Sequence, residues 1–407
     1  MPRRVRFSEL PDDLVAGILA RLPPRQVTRA RFVCRRWRAL TTDHHFLRTA
    51  LAFSRRAGQA CSGGFFLNEQ FGIRHQYFPF PFPLDRDHEA EDGLAAAPTP
   101  DLAFIPNAAP SANPGGGSGN VHVSSSCNGL LLLLCWPPHG QVAHYICNPL
   151  TRELAPIPIP NANGLPHCLN LAFDPSISRH YKVVALGYMY GIHVYSSETR
   201  HWRTAIHRDR SDGLFVGIRS LRGVFWNGSI VWTVAHSLIR FVIDGEYLTV
   251  MPMPPKKKKG WICAYIGESG GHLQMIGYTK EEKLTACFDV LEMQGDQSEW
   301  LLLYRIDLGR VKELYPGIER PTWDTQWHQH KIIDYLALSP VYVVRGTGDA
   351  GQRGVLMFSV PGKIMSYNME DQRISVIQEV MSSGRDVLPP YRLEHPWCRA
   401  LICCLNS

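Results

Sequence analysis

Residues Leu10 to Leu40 read LPDDLVAGILARLPPRQVTRARFVCRRWRAL, and their proline punctuation sets out two helical stretches. Pro11, Asp12 and Asp13 supply an N1 proline and first-turn acids, which suit the positive end of a helix. Leu14, Ile18, Leu19 and Leu22 follow at helical spacings, and Pro23-Pro24 ends the run. A second helical stretch restarts there, with Val27, Ala30, Val33, Cys34, Trp37 and Leu40 apolar and Arg25, Arg29, Arg31, Arg35, Arg36 and Arg38 between them. A unit of about 40 residues seldom buries enough surface to stand alone. Apolar residues on more than one helical face therefore imply a partner surface or a packed neighbouring domain.

Outward from this module, Asp43 is placed to cap a further helix through Phe46, Leu47, Ala50, Leu51 and Phe53, and from Gly63 the pattern changes to strands. Gly64 to Leu67 is a short aromatic strand, whereas Tyr77 to Leu84 carries too much proline for a central one. Residues 85–120, with AAAP, NAAPSANP and GGGSG, read as a flexible, low-complexity surface insertion. Between Leu130 and Tyr367 come short runs rich in β-branched and aromatic residues, with no comparable amphipathic helix among them. Turn signals at Asn148-Pro149, Ser197-Glu198, Asp244-Gly245, Gly295-Asp296 and Met369-Glu370 recur at intervals of 49, 47, 51 and 74. A period in the high forties suits four-stranded propeller blades; a β-sandwich is the alternative.

Residues 1–60 hold 13 arginines, no lysine and four acids, Glu9, Asp12, Asp13 and Asp43, hence +9; with +7 overall, the other 347 residues carry 7 − 9 = −2. The basicity belongs to the helical module. That favours an acidic protein partner over nucleic acid, which is more naturally met by a basic stripe on the main domain. The longest apolar run, Leu130 to Trp136, is far shorter than a membrane span, and the start of the chain has no apolar leader, so neither secretion nor membrane insertion is expected. Eleven irregularly spaced cysteines suggest reduced thiols rather than a disulfide framework.

Leu10-Pro11, Leu14, Ile18-Leu19, Leu22-Pro23, Val33-Cys34, Trp37, Leu40 and Phe46 resemble an F-box, with His44 where that family often has proline and Ala30 where it usually has a bulkier apolar residue. Further on, Ser126-Cys127-Asn128-Gly129-Leu130-Leu131, Cys147-Asn148-Pro149-Leu150-Thr151, and Phe173-Asp174-Pro175 before Tyr181-Lys182-Val183-Val184 are similar to the F-box-associated domain of the large plant receptor families, of kelch-like propeller type but without the glycine pairs of kelch blades. The resemblance implies an α+β multidomain chain: a small all-α F-box at 5–50, then a large all-β, propeller-like domain at 60–405. It implies a substrate receptor of an SCF-type ubiquitin ligase that binds a Skp-type adaptor and, through it, cullin and RING subunits. Leu10, Pro11, Leu14, Ile18, Leu22, Val33 and Trp37 are then the adaptor-binding residues or their immediate support.

Trp323 to His330, WDTQWHQH, gathers two histidines and an aspartate in one loop, which reads as an aromatic recognition or packing loop; no second cluster at matching spacing supports a metal. Lys256 to Lys259 suit either a nuclear import signal or a solvated turn. The sequence has no G-x-S-x-G elbow, P-loop or H-E-x-x-H. The expectation is a non-catalytic receptor without metal or cofactor, cytoplasmic or nuclear, with an unknown target protein as its other partner. Tyr188, Tyr190, Trp261, Trp323, Trp327 and His328, aromatic rings and a histidine beside glycine, proline or polar residues, are the candidates for target binding. A propeller hydrolase or a lectin-like ligand-binding protein is the alternative function.

Overall fold

The computed structural model describes residues 10–22, 24–43, 46, 49–50, 64–68, 75–79, 102, 104–105, 120–136, 142–149, 151–158, 168–187, 191–206, 223–234, 237–254, 261–279, 282, 285–295, 299–324, 331–345, 354–379 and 400–403. The described residues of the opening module include the helices α1 (Asp12–Leu19), α2 (Pro24–Ala30) and α3 (Arg35–Thr42), and Phe46, Thr49 and Ala50 beyond Asp43 are helical too. The second helical stretch is thus two helices rather than one. The chain turns at Arg31 to Val33, and Cys34, in extended backbone, caps α3 by accepting from the Trp37 amide at 3.4 Å. Pro11 precedes the first helix with ψ 152 and stands at its N-cap rather than inside it. Val15, Leu19, Ala20, Val27, Ala30 and Phe46 form the module's core, with Leu10, Leu22, Trp37 and Leu40 packed against it. Arg36 ties α3 to the start of α1 through the Asp12 carboxylate at 2.7 Å and the Leu10 carbonyl at 2.5 Å.

Strands β1 (Gly64–Asn68) and β2 (His75–Pro79) are followed by five four-stranded antiparallel sheets. Blade 1 is β3 (Asn120–Cys127), β4 (Leu130–Trp136), β5 (Ala143–Asn148) and β6 (Glu153–Ile157); blade 2 is β7 (Cys168–Ala172), β8 (Lys182–Gly187), β9 (Gly191–Ser196) and β10 (His201–Ile206). Blade 3 is β11 (Val224–Trp226), β12 (Ser229–Val234), β13 (Ser237–Val242) and β14 (Tyr247–Met251); blade 4 is β15 (Ile262–Ser269), β16 (His272–Tyr278), β17 (Cys287–Met293) and β18 (Trp300–Asp307). A short helix α4 (Gly309–Leu314) and a hairpin, β19 (Glu319–Asp324) with β20 (Lys331–Leu336), precede blade 5: β21 (Ser339–Val344), β22 (Val355–Val360), β23 (Lys363–Asn368) and β24 (Ile374–Glu379). Successive first strands lie side by side, β3 on β7, β7 on β11, β11 on β15 and β15 on β21, so the sheets are the blades of a five-bladed β-propeller. The last strand, β25 (Ala400–Cys403), pairs with β1 and lies against β3, which brings the end of the chain back to blade 1.

The five turn signals fall on one structural position, the connection from third to fourth strand of each blade. Four of these turns hold a residue with positive φ: Arg152 at 59, Arg200 at 58, Glu246 at 54 and Gln372 at 56. The interval of 74 arises because residues 308–338, with α4 and the hairpin, are inserted between blades 4 and 5. The sequence reading did not anticipate that helix. Asn128-Gly129 and Asn227-Gly228 make two-residue turns from first to second strand, all four residues with positive φ, as such hairpins require. Gly270-Gly271 does the same in blade 4 alone.

Neighbouring blades are stapled at separations near one repeat. Asn128 Nδ2 donates to the Phe173 carbonyl at 2.6 Å, Trp226 Nε1 to that of Gly271 at 2.9 Å, Trp202 Nε1 to that of Pro158 at 2.5 Å and Trp300 Nε1 to that of Pro252 at 2.8 Å. Between the sheets lie buried aliphatic clusters; that between blades 4 and 5 includes Ile276, Phe288, Val290, Leu356 and Phe358. Part of the stretch read as a flexible insertion belongs to this core: Leu102 and Ile105 are buried against Val121, Leu131 and Leu133 of blade 1. Other than Leu102, Phe104, Ile105 and Asn120, residues 85–120 lie outside the described residues.

Candidate functional site

In α1 the helical period separates two faces. Val15 and Leu19 point into the module and are fully buried, while Leu14 and Ile18, one position earlier each, remain 55% and 40% exposed. The turn ahead of α3 adds Phe32 at 87% and Val33 at 62%. Four of the twelve large apolar side chains exposed among the described residues thus fall in about a tenth of the chain. Such a concentration on a small module marks a protein contact. Of the seven residues expected to bind or support an adaptor, Leu14, Ile18, Val33 and Pro11 are on the surface, whereas Leu10, Leu22 and Trp37 pack against the module's own core. Phe32 was missed, because an aromatic beside an arginine at the end of a helical pattern carries no sequence sign that its ring faces outward.

The propeller has two unlike sides. Every blade begins at its innermost strand and runs as an antiparallel meander, so the starts of β3, β7, β11, β15 and β21 share one side, here called the entry side, and their ends share the other. Turns 128–129, 227–228 and 270–271 lie at the exit side. Connections 158–167, 207–223, 252–261 and 308–338 arrive at the entry side, as do the second-to-third-strand links 188–190, 279–286 and 361–362. Side chains bear this out. Lys182 at the start of β8 meets Asp244 of blade 3 at 2.6 Å on the exit side, and Lys363 at the start of β23 lies 6.0 Å from the Tyr315 ring, just beyond α4, on the entry side.

Each segment expected to bind the target is attached at the entry side. Tyr188 and Tyr190 join Gly187 to Gly191 and lie outside the described residues. Trp261 immediately precedes β15; its half-buried ring covers Gly277, where a Cβ would overlap it, and packs with Met251, Met275 and Trp300. Trp323 is not in a loop: it sits in β19 opposite Ile332, with Asp324 opposite Lys331, while Trp327 and His328 lie outside the described residues. The described strands that flank these segments, β8, β9, β15, β19 and β20, thus all meet them at the entry side.

The titratable groups that burial perturbs are structural. Glu292 accepts from Gln274 Nε2 at 3.1 Å and from Arg345 Nε at 2.9 Å, with His272 Nδ1 at 3.1 Å, and so joins blade 4 to blade 5. Burial opposes its charge, but the bonds from His272, Arg345 and Gln274 outweigh that and hold the carboxyl at about 2. Burial alone lowers His144 in blade 1 to about 4, and burial, with the neighbouring Cys135 adding to it, raises Cys147 to about 12. Among the described residues, Cys34, Cys127, Cys135, Cys147, Cys168, Cys263 and Cys287 form no disulfide, no group of His, Cys, Asp and Glu is placed to hold a metal, and no helix is long and apolar enough to cross a membrane.

Residues 7–49 match the F-box domain, and residues 114–309 match the F-box associated beta propeller domain. The chain carries an F-box followed by an F-box-associated propeller. The F-box protein At5g07610 of Arabidopsis thaliana is 24% identical over 399 residues, covering 92% of this chain and 87% of that protein. F-box protein At5g49610 of the same plant is 24% identical over 332 residues, 76% of this chain and 82% of the relative. Among solved structures, an oligogalacturonate lyase in complex with manganese is similar at a TM-score of 0.35 and 8% identity, covering 69% of this chain and 83% of that one, which is too distant to bear on fold or activity. Both matched domains are those of adaptor or receptor proteins.

Proposed function

We propose that this chain is the substrate-recognition subunit of a cullin-based, SCF-type ubiquitin ligase. The observation that carries the reading is the set of exposed apolar side chains on the F-box, Leu14, Ile18, Phe32 and Val33, joined in one chain to a propeller. In this reading the F-box surface binds a Skp-type adaptor and, through it, cullin and RING subunits. Exposed arginines around it, Arg29, Arg35 and Arg38, favour an acidic partner by steering and orientation. The entry side of the propeller holds the target protein, with Tyr188, Tyr190, Trp261, Trp323, Trp327 and His328 the residues proposed to recognise it. The subunit contributes proximity: it raises the concentration of target amines beside a ubiquitin thioester carried by another subunit, so no acid, base or nucleophile of its own is needed. Its place of action is the cytoplasm, the nucleus or both. The test is co-purification of the full chain with a Skp-type adaptor. Stoichiometric capture that fails when Leu14 and Ile18 are both replaced by aspartate, in a chain that unfolds at the same temperature, supports the reading; equal capture by that variant refutes it.

A further inference from the structure

The outermost strands of the blades meet solvent differently. β6 carries Pro156, which has no amide to give a neighbour, β10 sets Arg203 near its middle, β14 is five residues long and β24 ends in Gln378 and Glu379. Such features discourage edge-to-edge pairing. β18 is eight residues long, and from Trp300 to Tyr304 it holds no charge, proline or glycine. Leu301 and Leu302 in that run are 47% and 50% exposed. β18 ends its sheet, and β17 is its strand partner among the described strands. In that register Leu301 stands opposite Glu292 and Leu302 opposite Leu291, so the two leucines project to opposite faces of blade 4. A partner lying on one face covers one of them; a neighbour at the edge straddles both.

We infer that β18 is the contact through which two copies of this chain associate, edge to edge and antiparallel, about a two-fold axis at Leu302. The charges at its ends select a second copy. Glu299, exposed, precedes the apolar run, and Arg305, whose side chain is 51% exposed beside Glu282 and Asp289, follows it, roughly 20 Å away along an extended strand. Both stand three positions from Leu302, so the two-fold brings Glu299 of each copy to Arg305 of the other. Each pair is made twice. A parallel copy sets Glu299 beside Glu299 and Arg305 beside Arg305, and an axis moved to Leu303 sets Glu299 opposite Asp307; like charge opposes both. The pairing with β17 skips Leu303, a bulge that interrupts the outer ladder, so side chains carry more of the contact than backbone does. Eight residues a side is well below the roughly 20–30 of a stable interface, which makes this a weak dimer with a dissociation constant on the order of 10–100 µM. Leu14, Ile18, Phe32 and Val33 lie outside the contact, so the inference stands apart from the receptor reading. Joined to that reading, the dimer holds two target surfaces together and favours a target with two recognised segments.

The experiment is sedimentation equilibrium of the full chain between about 1 and 200 µM, a range that brackets the expected dissociation constant. The parent is expected to pass from monomer to dimer, L301D/L302D to stay monomeric, and E299R to associate roughly five-fold more weakly, since it sets arginine against Arg305 twice. Because two aspartates on an edge strand can also lower stability, L302C supplies a second reading that leaves the fold alone. Mild oxidation is expected to link residue 302 to residue 302 between copies, mapped by peptide mass spectrometry, whereas V250C, on the exposed part of β14, gives no such link. A parent that stays monomeric throughout overturns the inference and leaves the edge to a strand of some other protein. A dimer that survives L301D/L302D, that is indifferent to E299R, or that forms no 302-to-302 link overturns it as well.

Discussion

Phe32 keeps 87% of its surface in solvent, beside Val33 at 62%, while the arginine two positions beyond Val33 opens a helix. Buried anchors at protein interfaces commonly contribute about 2 kcal/mol or more each, roughly a 30-fold change in affinity. Phe32→Ala is expected to weaken adaptor capture by about that factor, with no change in unfolding temperature because the ring is 87% exposed. Leu19→Ala is the contrasting case. Leu19 is fully buried, so its truncation is expected to destabilise the F-box by about 2–5 kcal/mol and to reduce capture only through unfolding. Calorimetry and binding titration of both variants separate the roles; equal effects on unfolding refute the assignment.

Two buried titratable residues give acid unfolding separate windows. His144 has its folded pKa lowered to about 4 from the ordinary 6.5, so its contribution to stability is complete above 6.5 and is lost as pH falls towards 4. Glu292 is lowered to about 2 from 4.5, so its contribution is complete above 4.5 and lost as pH falls towards 2. Each is on the order of 3 kcal/mol at neutral pH. Denaturant titrations from pH 7 to 3 should show His144→Leu flattening the upper window and Glu292→Gln the lower. If Glu292→Gln leaves the slope below pH 4.5 unchanged, the link between blades 4 and 5 does not govern acid stability.

At the scale of elements, the repeated tryptophan donors explain how short strands hold a ring together. Trp300→Phe keeps most of the packed area and leaves the Pro252 carbonyl without its indole donor, for an expected loss of about 1–2 kcal/mol in chemical denaturation. A loss below experimental error refutes the staple. The strands that sequence made legible are chiefly the second and third of each blade, buried on both faces, such as LLLLLCW of β4 and VLMFSV of β22. Of the fourth strands, WLLLYRID of β18 was legible, whereas β6, β10, β14 and β24 escaped. HWRTAI of β10 contains no buried residue and YLTVM of β14 only one, so neither shows the apolar alternation that marks a strand. First strands such as NVHVSSSC of β3 and ICAYIGES of β15 are rich in small and polar residues, which mask their periodicity. The adaptor surface was partly legible because α1 alternates buried and exposed positions, but Leu10, Leu22 and Trp37 look the same in sequence whether they face a partner or the module's own core.

At the scale of the whole molecule, residues 85–120 combine a composition poor in packing residues with two that are buried, Leu102 and Ile105. Limited proteolysis is expected to cut first in this stretch, on either side of Leu102 to Ile105, because its Ala, Pro, Gly and Ser content favours open chain. The products should remain associated, since β1 pairs with β25 across the cut. Separation of the fragments on gel filtration under native conditions refutes that closure.

Recognition of the target is the remaining property of the molecule as a whole, because the residues proposed for it meet only through the propeller's topology. Trp323 belongs to a hairpin inserted between blades 4 and 5, Trp327 and His328 to the residues that link its two strands, and an insertion that interrupts the blade period is not required to complete either sheet. Removing these three rings is therefore expected to spare the fold while changing what the propeller holds. Trp323, Trp327 and His328 replaced together by alanine should leave adaptor capture and unfolding temperature at parent values and alter the set of proteins retained when the proteasome is blocked. An unchanged set from a folded, adaptor-binding triple variant moves the receptor surface to the link between β8 and β9, whose sequence contains Tyr188 and Tyr190.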